Sequence, residues 1–91
     1  MEIKWADKAV SDIARLYEFL APVNQPAAAR VVQSLTAAPN RLLSNPRLGE
    51  KLDEFAAREV LRILVGLHEM RYEIQGQTIF VLRLWHTRED R

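Results

Sequence analysis

A chain of 91 residues has room for one compact domain with one core, so residues 1–91 are read as a single domain. Its hydrophobic fraction of 48% and charged fraction of 27% exclude a disordered chain, the lack of any apolar run near 18 residues excludes a helical membrane span, and the absence of cysteine excludes disulfides and thiolate metal sites. Net charge is +1, with seven basic and seven acidic side chains in residues 1–55 and six and five in residues 56–91, so no global field points to nucleic acid.

The opening MEIKWADK carries no apolar signal-peptide core, which predicts a cytoplasmic protein. Met1, Ile3 and Trp5 alternate with Glu2 and Lys4, the period-2 pattern of a short strand. From Asp7 the period changes, and Ala6, Ala9, Val10, Ile13, Leu16, Tyr17 and Leu20 recur at three- and four-residue steps as the apolar stripe of a helix. Asp7 suits the positive end of that helix, and Pro22 lies just past its end. A second helix is predicted from Gln25 and Pro26, with Ala28, Val31, Val32, Leu35, Ala38 and Leu42 as its stripe. Pro39 falls inside that stripe, where it removes a hydrogen bond to Leu35, so a kink is expected there.

SNPRLGEKLDEF reads as a loop because Asn45, Pro46 and Gly49 are turn formers among charged residues. Beyond it, REVLRILV, HEMRYEI and TIFVLRLWH form three predicted strands in an antiparallel meander, closed by tight turns at Gly66 and Gly76. With both helices on one sheet face, the expected architecture is α+β in the order β-α-α-β-β-β.

Parity sorts the strand residues into two faces. The predicted core face holds Leu61, Ile63 and Val65, then His68, Met70, Tyr72 and Ile74, then Phe80, Leu82, Leu84 and His86. The opposite face collects Arg58, Arg62, Arg71 and Arg83 with Trp85 at its end, and only Glu69 and Glu73 offset the arginines there. Guanidinium forks match phosphate or carboxylate, and an indole stacks on a base or fills a partner's pocket, so Arg58, Arg62, Arg71, Arg83 and Trp85 are candidate binding residues. The alternative for the same residues is a solvated layer of cross-strand ion pairs. His68 is expected as a hydrogen-bonded core or edge histidine rather than a catalytic base, and His86 as a strand-end group able to reach solvent; Trp5 and Tyr17 read as core residues. No P-loop, dinucleotide fingerprint, nucleophile elbow or zinc motif occurs, so no cofactor and no metal are expected.

The succession MEIKWADKAVSDIARLYEFL, NPRLGEKL, REVLRILV, HEMRYEI and IFVLRLWHTRED resembles the RelE/ParE superfamily of toxins from bacterial type II toxin–antitoxin systems, across essentially the whole chain. The resemblance implies a cognate antitoxin, an acidic, partly disordered segment that folds across the toxin, in a hetero-oligomer without membrane contact. ParE-like members poison DNA gyrase without cutting nucleic acid, whereas RelE-like members are endoribonucleases that cut mRNA on the ribosome. Aligned on Tyr72 and His86, the chain has Glu69 where one nuclease branch has arginine and Thr87 where that branch has tyrosine. The His86 and Arg88 step after the closing strand is similar to ParE-like and plasmid-stabilisation proteins, so a gyrase poison is the expectation. One alternative is an endoribonuclease using Arg62, Arg83, His86 and Arg88 as catalytic candidates. The other is a diverged domain that binds antitoxin without toxicity.

Overall fold

The structure is a computed structural model and describes residues 1–89. Five strands form one sheet in the order β1-β5-β4-β3-β2, with β1 spanning Glu2–Trp5, β2 Glu50–Lys51, β3 Glu59–Val65, β4 His68–Gln75 and β5 Thr78–His86. The meander β3-β4-β5 is antiparallel as expected, and β1 adds to β5 in parallel, with Ile3 opposite Ile79 and Trp5 opposite Val81. The expected loop after the helices contributes the two-residue edge strand β2, paired with Leu61 and Arg62 of β3. Both turns of the meander begin on a glycine of positive φ, Gly66 at 60° and Gly76 at 57°, as a two-residue type II′ hairpin requires.

Helix α1 covers Asp7–Leu20 and α2 Gln25–Ala37. The first turn of α1 holds Asp7 against the dipole, and α2 is capped by Asn24, whose side chain accepts the Ala27 N–H at 3.0 Å. Pro39 ends the α-helix where a kink was expected. Having no N–H to give Leu35, the chain tightens at that point into a 3-10 turn, Ala38–Leu42, which buries Pro39 and Leu42.

The helices lie on one face of the sheet, where Ala9 and Leu16 of α1, Leu35 of α2 and Leu42 pack on Leu61, Ile63, Met70, Tyr72 and Leu84. Ile3, Trp5 and Ile13 close its margin, while Tyr17 is only half-buried and accepts a hydrogen bond from Gln25 at 3.3 Å, and Val10 is 55% exposed. No described helix is long and apolar enough to cross a membrane.

One parity assignment is overturned. Arg71 faces Arg83, but Tyr72 faces Val81, so Leu82 is an extra residue in β5, a β-bulge. The bulge reverses the faces of β5 on its N-terminal side. Ile79 and Val81, expected on the outer face, are fully buried in the core with Leu84, while Phe80 and Leu82 are half-buried and belong to no core cluster. Period-2 reasoning holds only while the ladder stays regular, and Thr78–Leu82 is apolar enough to read either way.

Gly49 is fixed by a close approach. A Cβ there would sit 2.5 Å from the Arg62 carbonyl oxygen and 2.8 Å from the Tyr72 hydroxyl. That hydroxyl accepts the Gly49 N–H at 3.0 Å and donates to the Pro46 carbonyl at 2.7 Å, so a core tyrosine ties the 45–49 loop to the sheet.

Candidate functional site

Strand β1 ends at Trp5 opposite Val81, which leaves the remainder of β5 without a strand on that side among the described residues. Helix α1 supplies the missing partners from its side chains. Asp12, 4% exposed, accepts the Leu84 N–H at 2.8 Å, and Arg15 donates to the Leu84 carbonyl at 3.0 Å. The same carboxylate takes a two-point hydrogen bond from Arg83, at 2.8 and 3.2 Å, and a further one from Arg15 at 3.2 Å. Burial pushes the Asp12 carboxyl up, but the hydrogen bonds from Arg83, the Leu84 amide and Arg15 outweigh it and hold the group below the usual carboxylate range. Arg15 also bonds Glu89, whose other oxygen accepts the His86 N–H at 2.7 Å, so the described end of the tail is fastened to α1.

On the sheet face away from the helices, Arg58, Arg62, Arg71, Arg83 and Trp85 do lie together, but the arginines are engaged. Arg58 makes a fork to Glu73 at 2.7 and 3.0 Å, Arg62 reaches Glu50 at 2.7 Å and Glu69 at 3.4 Å, Arg71 reaches Glu69 at 3.3 Å, and Arg83 is held by Asp12. The bond from Arg58 lowers the Glu73 carboxyl against the upward push of burial. Four arginines meet four carboxylates, two more than parity supplied, because Glu50 comes from β2 and Asp12 from α1. The charge of the face is therefore close to balanced. Between the cations lie aromatic rings: the Arg71 guanidinium stands 4.9 Å from the Trp85 ring centre and 5.7 Å from that of Phe55, with Arg58 over Phe55 at 5.7 Å and Arg83 over Trp85 at 5.6 Å. Under this layer Val60, Glu69, Glu73 and Trp85 are buried.

The catalytic candidates are divided. Arg62 borders a shallow cleft with Glu50, Leu64, Glu69 and Thr87, Arg83 sits at the α1 edge, and His86 and Arg88 line a separate cavity of about 400 Å³ with His68 and Phe19. His68 and His86 are direct cross-strand partners, their rings edge to face with centres 5.1 Å apart. Burial lowers the proton affinity of His68 and the neighbouring His86 lowers it further, against opposing effects of Glu89 and the Val65 backbone. The expected hydrogen-bonded core or edge histidine is buried and bonded to the Val65 backbone, while its Nε2 has no hydrogen-bond partner among the described residues. After His86, Thr87 and Arg88 are exposed, Glu89 is half-buried, and Asp90 and Arg91 lie outside the described residues. Among the described residues, no three histidine or carboxylate groups converge as metal ligands.

Sequence reasoning passed over Asp12, Arg15, Glu50, Phe55 and Glu89. A signal existed for Asp12 alone, since it lies three residues from Ala9 and four from Leu16, inside the apolar stripe.

A family model described as the ParE toxin of the type II toxin–antitoxin system, parDE, matches residues 3–91. A solved structure of a chromosomal ParDE TA system from P. aeruginosa is similar with a TM-score of 0.75 and 22% sequence identity, covering 94% of this chain and 95% of that one, a likeness of fold. No curated protein matches the chain.

Proposed function

The chain belongs to the ParE toxin family of type II toxin–antitoxin systems, and from that premise we propose that it arrests growth by binding DNA gyrase in the cytoplasm, with a cognate antitoxin as the partner that neutralises it. The observation that supports binding over cutting is the commitment of the cations. Transesterification of RNA needs a base, an acid and charge stabilisation gathered around one phosphate. Arg62 and Arg83 are engaged with carboxylates, and neither shares the cavity of His86 and Arg88. A layer of ion pairs and aromatic rings suits contact with a protein surface better than phosphoryl chemistry, and Arg58, Arg62, Arg71, Arg83 and Trp85 are proposed to make that contact with target or antitoxin. Exposed apolar side chains on the helical hairpin, Phe19 at 78% and Val23 at 88%, favour an antitoxin segment that folds on the toxin as it binds.

The deciding experiment incubates the chain with purified gyrase and supercoiled plasmid. Cleaved linear DNA should accumulate with added toxin and disappear when antitoxin is added first. Cleavage of ribosome-bound mRNA, with gyrase products unchanged, would overturn the proposal.

A further inference from the structure

The cavity at the end of the sheet takes no part in the arginine layer. Its volume of about 400 Å³ lies within the range of small-ligand sites. One wall is apolar, made by Leu16, Phe19 and Leu20 on the C-terminal half of α1. Facing it are His68, His86 and Arg88, of which His86 and Arg88 can offer donors, whereas the neutral His68 ring already gives its N–H to the Val65 backbone. The Arg88 N–H donates to His86 Nδ1 at 3.0 Å, which puts the proton of a neutral His86 ring on Nε2. His68 is 7% exposed with an unpartnered Nε2. The guanidinium of Arg88 enters no ion pair among the described residues, whereas Arg15 is occupied by Asp12 and Glu89.

We propose that this cavity is a binding site for a small organic monocarboxylate with an apolar body. The body packs against Leu16, Phe19 and Leu20, and the carboxylate lies between Arg88 and His86. A guanidinium fork matches a carboxylate in two-point geometry, and the largely apolar lining disfavours a polyanion. Glu89, at the same rim, disfavours a doubly charged head group further.

The arrangement also predicts how binding depends on pH. The charged and titratable groups facing the cavity are Arg15 from α1, His68 from β4, His86 from β5, and Arg88 and Glu89 from the tail. Burial and the neighbouring His86 lower the proton affinity of His68, so that imidazole gives binding its pH dependence. Two imidazolium rings 5.1 Å apart repel each other, and an anion beside them relieves that repulsion. Binding is then accompanied by proton uptake.

The test titrates the full chain with benzoate and with hexanoate, following the imidazole signals of His68 and His86 and the side-chain signal of Arg88 by NMR. Saturable shifts are expected at millimolar or lower concentration, with affinity several-fold higher at pH 6 than at pH 8. Arg88→Ala should weaken binding about tenfold, and Phe19→Ala, at a position 78% exposed and so harmless to the fold, should weaken it as well. Lys8→Ala, outside the cavity lining, should leave it unchanged. No saturation by roughly 10 mM of either acid, a weak limit on the affinity scale, would overturn the site. Equal binding of neutral benzamide would overturn its preference for an anion, and an unaltered Arg88→Ala variant would overturn the assignment of the head-group contact.

Discussion

Replacing Asp12 by alanine removes the acceptor that stands in for a strand beside Leu84. Leu84 is fully buried, so its amide, 2.8 Å from Asp12 in the native chain, loses a partner that water cannot readily replace. An unsatisfied buried donor costs about 1–3 kcal/mol. The lost contacts to Arg83 and Arg15 add only about 0–1 kcal/mol, because those side chains are 43% and 41% exposed and rehydrate. A total near 2–3 kcal/mol should lower the melting temperature by roughly 10–20 °C for a domain of this size. Asp12→Asn keeps an oxygen for the Leu84 amide and should cost about 1 kcal/mol. Urea unfolding of both variants measures the two costs. The Asp12 carboxyl is held below its unfolded value, so its charge contributes stability above about pH 4, which is lost as pH falls through the folded value. The gap between wild type and Asp12→Asn should therefore close in acid. An alanine variant within about 0.5 kcal/mol of wild type, or an asparagine variant as damaging as alanine, would refute the idea that Asp12 completes the edge of β5.

His68 titrates below its unfolded value of about 6.5, so the unfolded chain binds more protons between the two values and stability should rise with pH up to about 6.5. Chemical denaturation from pH 5 to 7 should show that slope in wild type and a smaller one in His68→Leu; equal slopes would assign the dependence to other groups. Tyr72→Phe should cost about 1–2 kcal/mol and speed proteolysis within residues 45–51, because it frees both loop contacts of the hydroxyl. Gly49→Ala, forced 2.5 Å from the Arg62 carbonyl oxygen, should cost about 1–3 kcal/mol, and Gly66→Ala, strained only by its positive φ, about 1 kcal/mol, a ranking that thermal melts can check. Arg62→Ala should weaken antitoxin affinity or toxicity; if both are unchanged in a folded variant, the arginine layer is structural only.

Asp7 and Pro26 already announce where helices start, and Gly66 and Gly76 announce the hairpins, because first turns of helices and tight turns depend on neighbours within a few positions. Pro39 marks a break from sequence alone, but only the packing of Leu42 shows that the chain continues as a 3-10 turn. Parity placed Met70, Tyr72, Ile74 and Leu84 in the core correctly and failed at Ile79 and Val81, beyond the bulge at Leu82. The arginine face was legible as a set of residues, while its charge balance was not, since two of its four carboxylates arrive from other elements.

The order of the two helices and the four longer strands, and the turns between the last three, thus follow from the sequence by itself, and so does the family, whose signature is that order of local patterns. The parallel pairing of β1 with β5, the register slip at Leu82, the meeting of Asp12 with Leu84 and the cavity of the two histidines were decided by the tertiary structure. Asp12 and Leu84 are 72 residues apart, and no local preference at either position records that one will complete the hydrogen bonding of the other. Such pairings are selected when the buried polar groups of the assembled chain find partners.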